Sequence, residues 1–330
     1  MKPTGLLPLR VAGTAHIAPG EPVSTAALVE RLSPRPDPAA IEARTGIASR
    51  HFATPSPTRG TELGVQALRE ALAVASMPAE ALRRLIYVSS LGGDLLAPAN
   101  ANRVAAGLGL VRTCDCFDLS NGCMGFLAAL DIAARSLATG LGPVGIVVVE
   151  LGHRVTTPED PRPFLVLGDA AVAAVVERGR DGEGVLASWL RNDGVAGGNV
   201  WMAHPVVTGH RETVRFTASG RQMGEEVIGY IREAADAVLA EAGLALSAIE
   251  WVLPHQPNGS LLDAIVAALA IPADRVVRMV HDVGSVGAAS IPISLHRLLR
   301  GGRLRPGDRI LMIGVGAGIS YGATLLRTEG

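Results

Sequence analysis

The chain has 330 residues, 48% of them hydrophobic and 18% charged, with 30 basic against 31 acidic side chains for a net charge of −1. So balanced a chain sets up no general field for nucleic acid or an anionic membrane, and so apolar a composition excludes a disordered protein. The length amounts to about two domains at roughly 150 residues each, and with aromatics at 3% and 39 glycines the core must rely on small and aliphatic side chains.

The opening MKPTGLLPLRVAGTAHIAPG does not read as a signal peptide, because Pro and Arg break its apolar stretch. No run reaches the roughly 18 apolar residues of a membrane span. Apolar residues at three-to-four spacing predict a helix over 61–75, and a Val/Ile-type run predicts a strand over 85–90. A second strand over 113–120 leads into a helix over 125–138, which a Gly turn connects to a strand over 145–151. The polar, Gly-containing stretch ERGRDGEG, 177–184, marks the boundary between a first half, 1–178, and a second half, 179–330. Beyond it the pattern predicts a helix over 225–242, strands over 251–255 and 275–280, a helix over 291–300 and a strand over 309–314. Buried strands alternating with helices predict an α/β fold. The order Gly-rich turn, helix, Gly turn, strand in SNGCMGFLAALDIAARSLATGLGPVGIVVVELG returns in residues 284–318, so the fold is expected to be duplicated.

Three cysteines, Cys114, Cys116 and Cys123, lie within ten residues of one another; their odd number points to a reducing cytoplasm, and their spacing matches no common zinc pattern. Cys114 and Cys116 read as packing residues. Cys123 follows a predicted strand and opens a helix, where backbone N–H groups and the helix dipole favour a thiolate. Such a nucleophile needs a partner, and His255 ends the strand WVLPHQPN at the sheet's carboxyl edge, with His281 as the second choice. Near the C-terminus, GVGAGISYG allows a backbone N–H to approach a substrate carbonyl, and no Gly-Lys-Ser/Thr follows to make it a phosphate loop.

FDLSNGCMGF, VLPHQPN, GSVGAASIP and GVGAGISYG, in that order, resemble the four active-site segments of the ketoacyl-acyl-carrier-protein synthase III family of the thiolase superfamily. IEARTGIASRHF and LGDAAVAAV resemble two further segments of that family, so the likeness runs from about residue 10 to residue 327. The resemblance implies a thiolase-like five-layered αβαβα fold from two duplicated halves, in a homodimer. It assigns the nucleophile to Cys123 and the catalytic histidine to His255, with Asn258 as a hydrogen-bonding support. The N–H groups of Cys123 and Gly316 would form the oxyanion hole. No metal or redox cofactor is implied, because the helix dipole and the protein dipoles would supply the electrostatics, and the substrates would be thioesters of coenzyme A or an acyl carrier protein.

Several positions depart from the family's pattern. Where the family has an asparagine that helps the histidine hold the malonyl thioester carbonyl, this chain has Ser285, and losing such a donor costs on the order of 2.7–4 kcal/mol. Arg44 and Arg154 match coenzyme- or carrier-binding arginines, whereas Ala40 replaces the aromatic that stacks on adenine and Ser260 stands where a carrier-docking arginine is frequent. Leu96 is expected on the loop that reaches the partner's acyl pocket, and Met124 and Met223 as pocket lining.

The function expected is acyl-thioester loading on Cys123, then decarboxylative Claisen condensation with a malonyl thioester, in fatty-acid or polyketide-type biosynthesis. Two alternatives stand beside it: acyl transfer without decarboxylation to an alcohol, amine or carrier thiol, with His255 as base, and a non-catalytic partner subunit of a ketosynthase dimer.

Overall fold

The structure, a computed structural model, describes residues 5–53, 59–217 and 220–329, with the side chains of 220–223 excepted. Ten strands form two five-stranded mixed sheets. The first sheet holds β2 (Arg10–Ile17), β3 (Arg84–Val88), β4 (Asp115–Leu119), β5 (Val144–Leu151) and β6 (Asp169–Glu177), in the order β2-β6-β5-β3-β4. The second holds β1 (Leu7–Pro8), β7 (Gly184–Asn192), β8 (Trp251–Pro254), β9 (Arg309–Gly316) and β10 (Ser320–Arg327), in the order β1-β7-β10-β9-β8.

The two sheets repeat one scheme. In the first, β5 runs parallel to β3 and antiparallel to β6. In the second, β9 runs parallel to β8 and antiparallel to β10. Helix α2 (Gly125–Ala138) precedes β5 just as α5 (Ser290–Arg300) precedes β9. The halves exchange at the loop after Glu177, except that Leu7–Pro8 pairs with β7 and ties the start of the chain to the second sheet.

The five layers follow from where apolar residues fall on each helix. Helix α1 (Gly60–Val74) buries Ala67, Leu68, Ala71 and Leu72 on the first sheet and turns Glu62, Arg69 and Glu70 to water, as an outer helix must. Helix α3 (Gly220–Ala242) does the same on the second sheet with Ile231, Ala234, Ala235 and Val238, and α4 (Gly259–Ala268) packs beside it. Helix α2 is apolar around most of its circumference, with Phe126, Leu127, Ala129, Leu130, Ala133 and Ala134 buried. It touches strands of both sheets, and α5 likewise meets β2, β6 and β8, so these two form the central layer. Among the described residues no helix is long and apolar enough to cross a membrane.

The strand expected over 275–280 is a correction. Residues Ala273–Arg275 form a 3-10 turn, Val280–Val283 a short helix, and the only ladder contact is a single bridge between Val252 and Val276. The backbone is satisfied otherwise. The buried Gln256 side chain accepts hydrogen bonds from the N–H groups of Met279 (2.9 Å) and Val280 (3.2 Å) and donates to the carbonyl of Val277 (2.8 Å). One amide replaces a strand's worth of pairing.

Where β2 meets α5, His16 lies edge-on to His296, ring centroids 6.3 Å apart, and its Nε2 is buried without a partner. Burial, then the nearby His296, Arg297 and His51, press the His16 pKa down to about 4, with Asp282 opposing. The unfolded chain therefore binds more protons between about pH 6.5 and 4, and stability falls as pH drops through that window. His16→Gln is expected to flatten the decline of Tm between pH 6.5 and 4, measured by thermal denaturation across that range.

Candidate active site

Strand β4 delivers the chain to a tight turn, Ser120 to Met124, that opens α2. Gly122 takes a φ of +50°, and a Cβ there would lie 3.1 Å from the Ala317 carbonyl oxygen. Met124 N–H donates to the Asn121 carbonyl at 3.0 Å, and the helix start has no side-chain cap. Cys123 thus sits half-buried immediately before a 14-residue helix whose first N–H groups still lack side-chain partners.

Across from it runs β9, whose residues 314 and 316 point to one face because they are two apart, and both are glycine. A Cβ at Gly316 would lie 2.8 Å from the Cys123 nitrogen, and one at Gly314 would lie 3.0 Å from both the His255 Cβ and the Met124 sulfur. A bare strip of strand thereby admits the head of α2 and the His255 ring together. His255 follows β8, is 4% exposed, and donates its N–H to the Ile313 carbonyl at 2.8 Å.

Two neighbours hold the histidine segment. Gln256 is fully buried, and besides the bonds already given its N–H donates to Ser290 Oγ at 2.9 Å and its Nε2 to Ser294 Oγ at 3.1 Å, on α5. Asn258 caps α4, accepting from Leu261 N–H at 2.8 Å. Sequence reasoning missed Gln256, although a polar residue between a buried strand and a turn is a visible signal.

Ser285 is 7% exposed and is held by its backbone: its N–H donates to the Val166 carbonyl at 2.8 Å and its carbonyl accepts from Gly168 N–H at 2.9 Å. Two residues on, Gly287 adopts a φ of +48°, and the Ala288 N–H donates to Glu150 Oε1 at 3.2 Å. The same oxygen accepts from Ser90 N–H at 2.9 Å. Glu150 was also missed. Its signal was a single acid in the otherwise uncharged strand VGIVVVEL.

Electrostatics here are set by burial. It pushes the Cys123 thiol up to about 12, the negative charge of Glu150 adds to that, and the N–H groups of Ala317 and of Cys123 itself oppose it. Burial presses His255 down to about 4, and its Nδ1 has no hydrogen-bond partner. At neutral pH the pair rests as thiol and neutral imidazole rather than as an ion pair. The N–H beside the sulfur is that of Ala317, the residue after Gly316, and the missing side chain of Gly316 leaves space for the Cys123 backbone.

Of the remaining sequence-predicted residues, Met124 adjoins the site through Gly314, and Arg44, Arg154 and Leu96 lie nearer the surface. Arg44 is exposed in the last turn of a short helix, and its carbonyl accepts from Ser260 Oγ. Arg154 is half-buried and donates to Asp94 Oδ1 at 2.9 Å. Leu96 is 78% exposed, which excludes core packing within the chain. Met124 is 1% exposed and belongs to the core. The Met223 side chain lies outside the described residues. Among the described residues no three His, Cys, Asp or Glu side chains converge as a metal-ligand set.

Two family models match: the 3-oxoacyl-[acyl-carrier-protein] synthase III model over residues 117–194 and its C-terminal companion over residues 239–328. The chain is 35% identical over 326 residues to the beta-ketoacyl-[acyl-carrier-protein] synthase III of Sphingopyxis alaskensis, covering 96% of this chain and 97% of that one. Its fold superposes on the 3-oxoacyl-(acyl carrier protein) synthase III of Pseudomonas aeruginosa with a TM-score of 0.88 at 30% identity, covering 98% and 99% of the two chains. The priming beta-ketosynthase of the R1128 polyketide pathway gives 0.88 at 29% identity, over 100% and 98%. The layered sheets described above are thus those of the thiolase-like fold.

Gly316→Ala should place a methyl against the Cys123 backbone, where no flexible side chain can give way. Overpacking of this kind costs about 1–3 kcal/mol. A lowered Tm is expected together with slowed acyl labelling of Cys123, read by thermal denaturation and intact-protein mass spectrometry.

Proposed function

The chain belongs to the 3-oxoacyl-[acyl-carrier-protein] synthase III family, and on that premise we propose that it is a ketosynthase that starts a fatty-acid or polyketide chain. An acyl thioester loads Cys123, and decarboxylative condensation with a malonyl thioester follows. The observation that carries this reading is the meeting of Cys123 and His255 on the glycine face of β9.

In the first half-reaction the Cys123 sulfur attacks the thioester carbonyl. The S–H bond breaks, a new S–C bond forms, and the leaving thiol takes the proton. We assign to the N–H groups of Cys123 and Ala317, which lie beside the sulfur, the role of holding the carbonyl oxygen as it gains charge. In the second, the malonyl thioester binds beside His255 and Ser285, loses carbon dioxide, and its enolate carbon attacks the acyl carbon and expels Cys123. A histidine pressed down to about 4 stays neutral at pH 7, which suits a hydrogen-bond donor to an enolate oxygen. Neither half-reaction calls for a metal or redox cofactor.

Arg44 and Arg154 are proposed to meet the phosphates of coenzyme A or the acidic surface of a carrier protein. A second copy of the chain is proposed to cover exposed Leu96 and the open edge of β4, in a cytoplasmic homodimer whose protomers divide at residues 178 and 179 into two halves. The R1128 relative, named as a priming ketosynthase, supports a place at the start of a chain rather than in its extension.

The shorter reach of Ser285 keeps one rival open, transfer of the acyl group without decarboxylation. Incubation with acyl and malonyl thioesters separates the two. Acyl-Cys123 with release of carbon dioxide is expected, and His255→Ala should abolish the release while Cys123→Ala abolishes loading. Acyl-Cys123 without carbon dioxide would favour simple transfer, and no acylation at all would favour a non-catalytic partner subunit.

A further inference from the structure

Glu150 is the only charged side chain on β5, is 1% exposed, and stands near the end of that strand against the Gly287–Ala289 turn, which packs on Gly125 at the head of α2. Its Oε1 joins two separate backbones, accepting from Ser90 N–H after β3 and from Ala288 N–H in the turn that follows Ser285. That turn has no slack. A Cβ at Gly287 would lie 3.2 Å from the Glu150 carboxyl and 2.8 Å from Ser90 Oγ. The second oxygen, Oε2, is buried with no hydrogen-bond partner, so an ionised carboxyl here is only half satisfied.

We propose that Glu150 is a positioning residue of the acyl-transfer site, which clamps the Ser90 backbone to that of Ala288, packed on the first residue of α2 just past Cys123, and links the ionisation of the thiol to its own. The inference rests on the reading of Cys123 as nucleophile. Burial pushes the Glu150 carboxyl up to about 7, against the hydrogen bonds from Ser90 and Ala288, so it changes charge within the working range of pH. Its charge raises the Cys123 thiol. The other group that feels it is Tyr87 on β3, which burial holds neutral well above its ordinary range, and His255 carries no charge near pH 7. The facing position on β6 is Ala170, so no cation on that strand offsets the carboxylate.

This linkage has a chemical use. Acylation converts the sulfur into a neutral thioester, which the carboxylate does not repel, whereas every step in which Cys123 bears negative charge, loading and condensation alike, meets the Glu150 carboxylate. Glu150 therefore quiets the resting thiol toward adventitious electrophiles, and its protonation eases the steps that pass through the thiolate.

The test is the rate of iodoacetamide alkylation of Cys123 in the full chain from pH 6 to 9, resolved from Cys114 and Cys116 by peptide mass spectrometry. In the native protein the rate should climb about tenfold per pH unit, because only thiolate reacts, with a flattened step near pH 7 where Glu150 ionises. Glu150→Gln keeps an oxygen for both N–H groups. Its profile should lose the step, and at pH 8.5 its rate should exceed the native rate by about threefold, half a pH unit. Glu150→Asp keeps the charge and should keep the step. A native profile without a step, or a Glu150→Gln profile that superimposes on the native one, would overturn the proposal. Should Glu150→Gln fail to fold by circular dichroism, the native and Glu150→Asp profiles decide. Failure of an acyl thioester to load native Cys123 sinks the nucleophile assignment instead, whereas loading without a step sinks only the linkage.

Discussion

Two missing side chains on one strand, at Gly314 and Gly316, set how close the central helix can come to the second sheet. A strand with ordinary residues at those positions would hold the head of α2 away and leave no space for His255 beside it. Because the strip is bare, Cys123 and His255 arrive at the same short stretch of backbone from different halves of the chain. The same closeness dries the site, which is why the thiol is pushed up and the imidazole down rather than both toward an ion pair. Geometry and electrostatics here have a single origin.

Duplication explains why the parts meet in the middle. Each half supplies a helix, α2 or α5, followed by a strand, β5 or β9, and both helices lie in the layer between the sheets. The head of α2 carries Cys123, and the turn before α5 carries Ser285. The ends of the two strands carry Glu150 and Gly316 in turn. The repeated unit thus carries Cys123 at the head of its helix in the first copy, and Ser285 before its helix and Gly316 at the end of its strand in the second. The carboxyl ends of β5, β8 and β9 gather at this place, the usual side for sites in parallel sheet regions.

Much of this was legible in the residues because apolar runs and helical spacing are local signals. The helix over 125–138 and the strands around 85–90 and 309–314 read directly from Val, Ile and Leu patterns. Residues 275–280 misled because Val276, Val277 and Val280 favour a strand, whereas their backbone is satisfied by the side chain of Gln256, an interaction that no local pattern records. Strands β2 and β10 escaped for the opposite reason: small and polar residues such as Gly13, Thr14, Ser320 and Gly322 dilute their apolar period. At the site, Cys123, His255 and Ser285 stood in readable motifs. The N–H beside the sulfur did not, since GVGAG offers several candidates and only the close packing of Ala317 on Gly122 selects one.

Charge is the remaining point on which sequence and structure part. Net charge near zero says nothing of what single arginines do, and Arg154 already has a partner in Asp94. That carboxylate also accepts from Thr61 Oγ1 and from the N–H groups of Gly60 and Thr61 at the start of α1. Burial alone would raise its pKa, yet these bonds and Arg154 hold it below the ordinary carboxylate range. Asn100 extends the chain of contacts, accepting from Asp94 and Leu95 N–H and donating to Asp118 on β4. The loop that presents Leu96 is therefore anchored at one end to Arg154 and at the other to the strand leading to Cys123. On the proposed assignment of Arg154 to a carrier's phosphate, that phosphate would compete with Asp94 for it, and carrier binding and the shape of the exposed loop would share one ion pair.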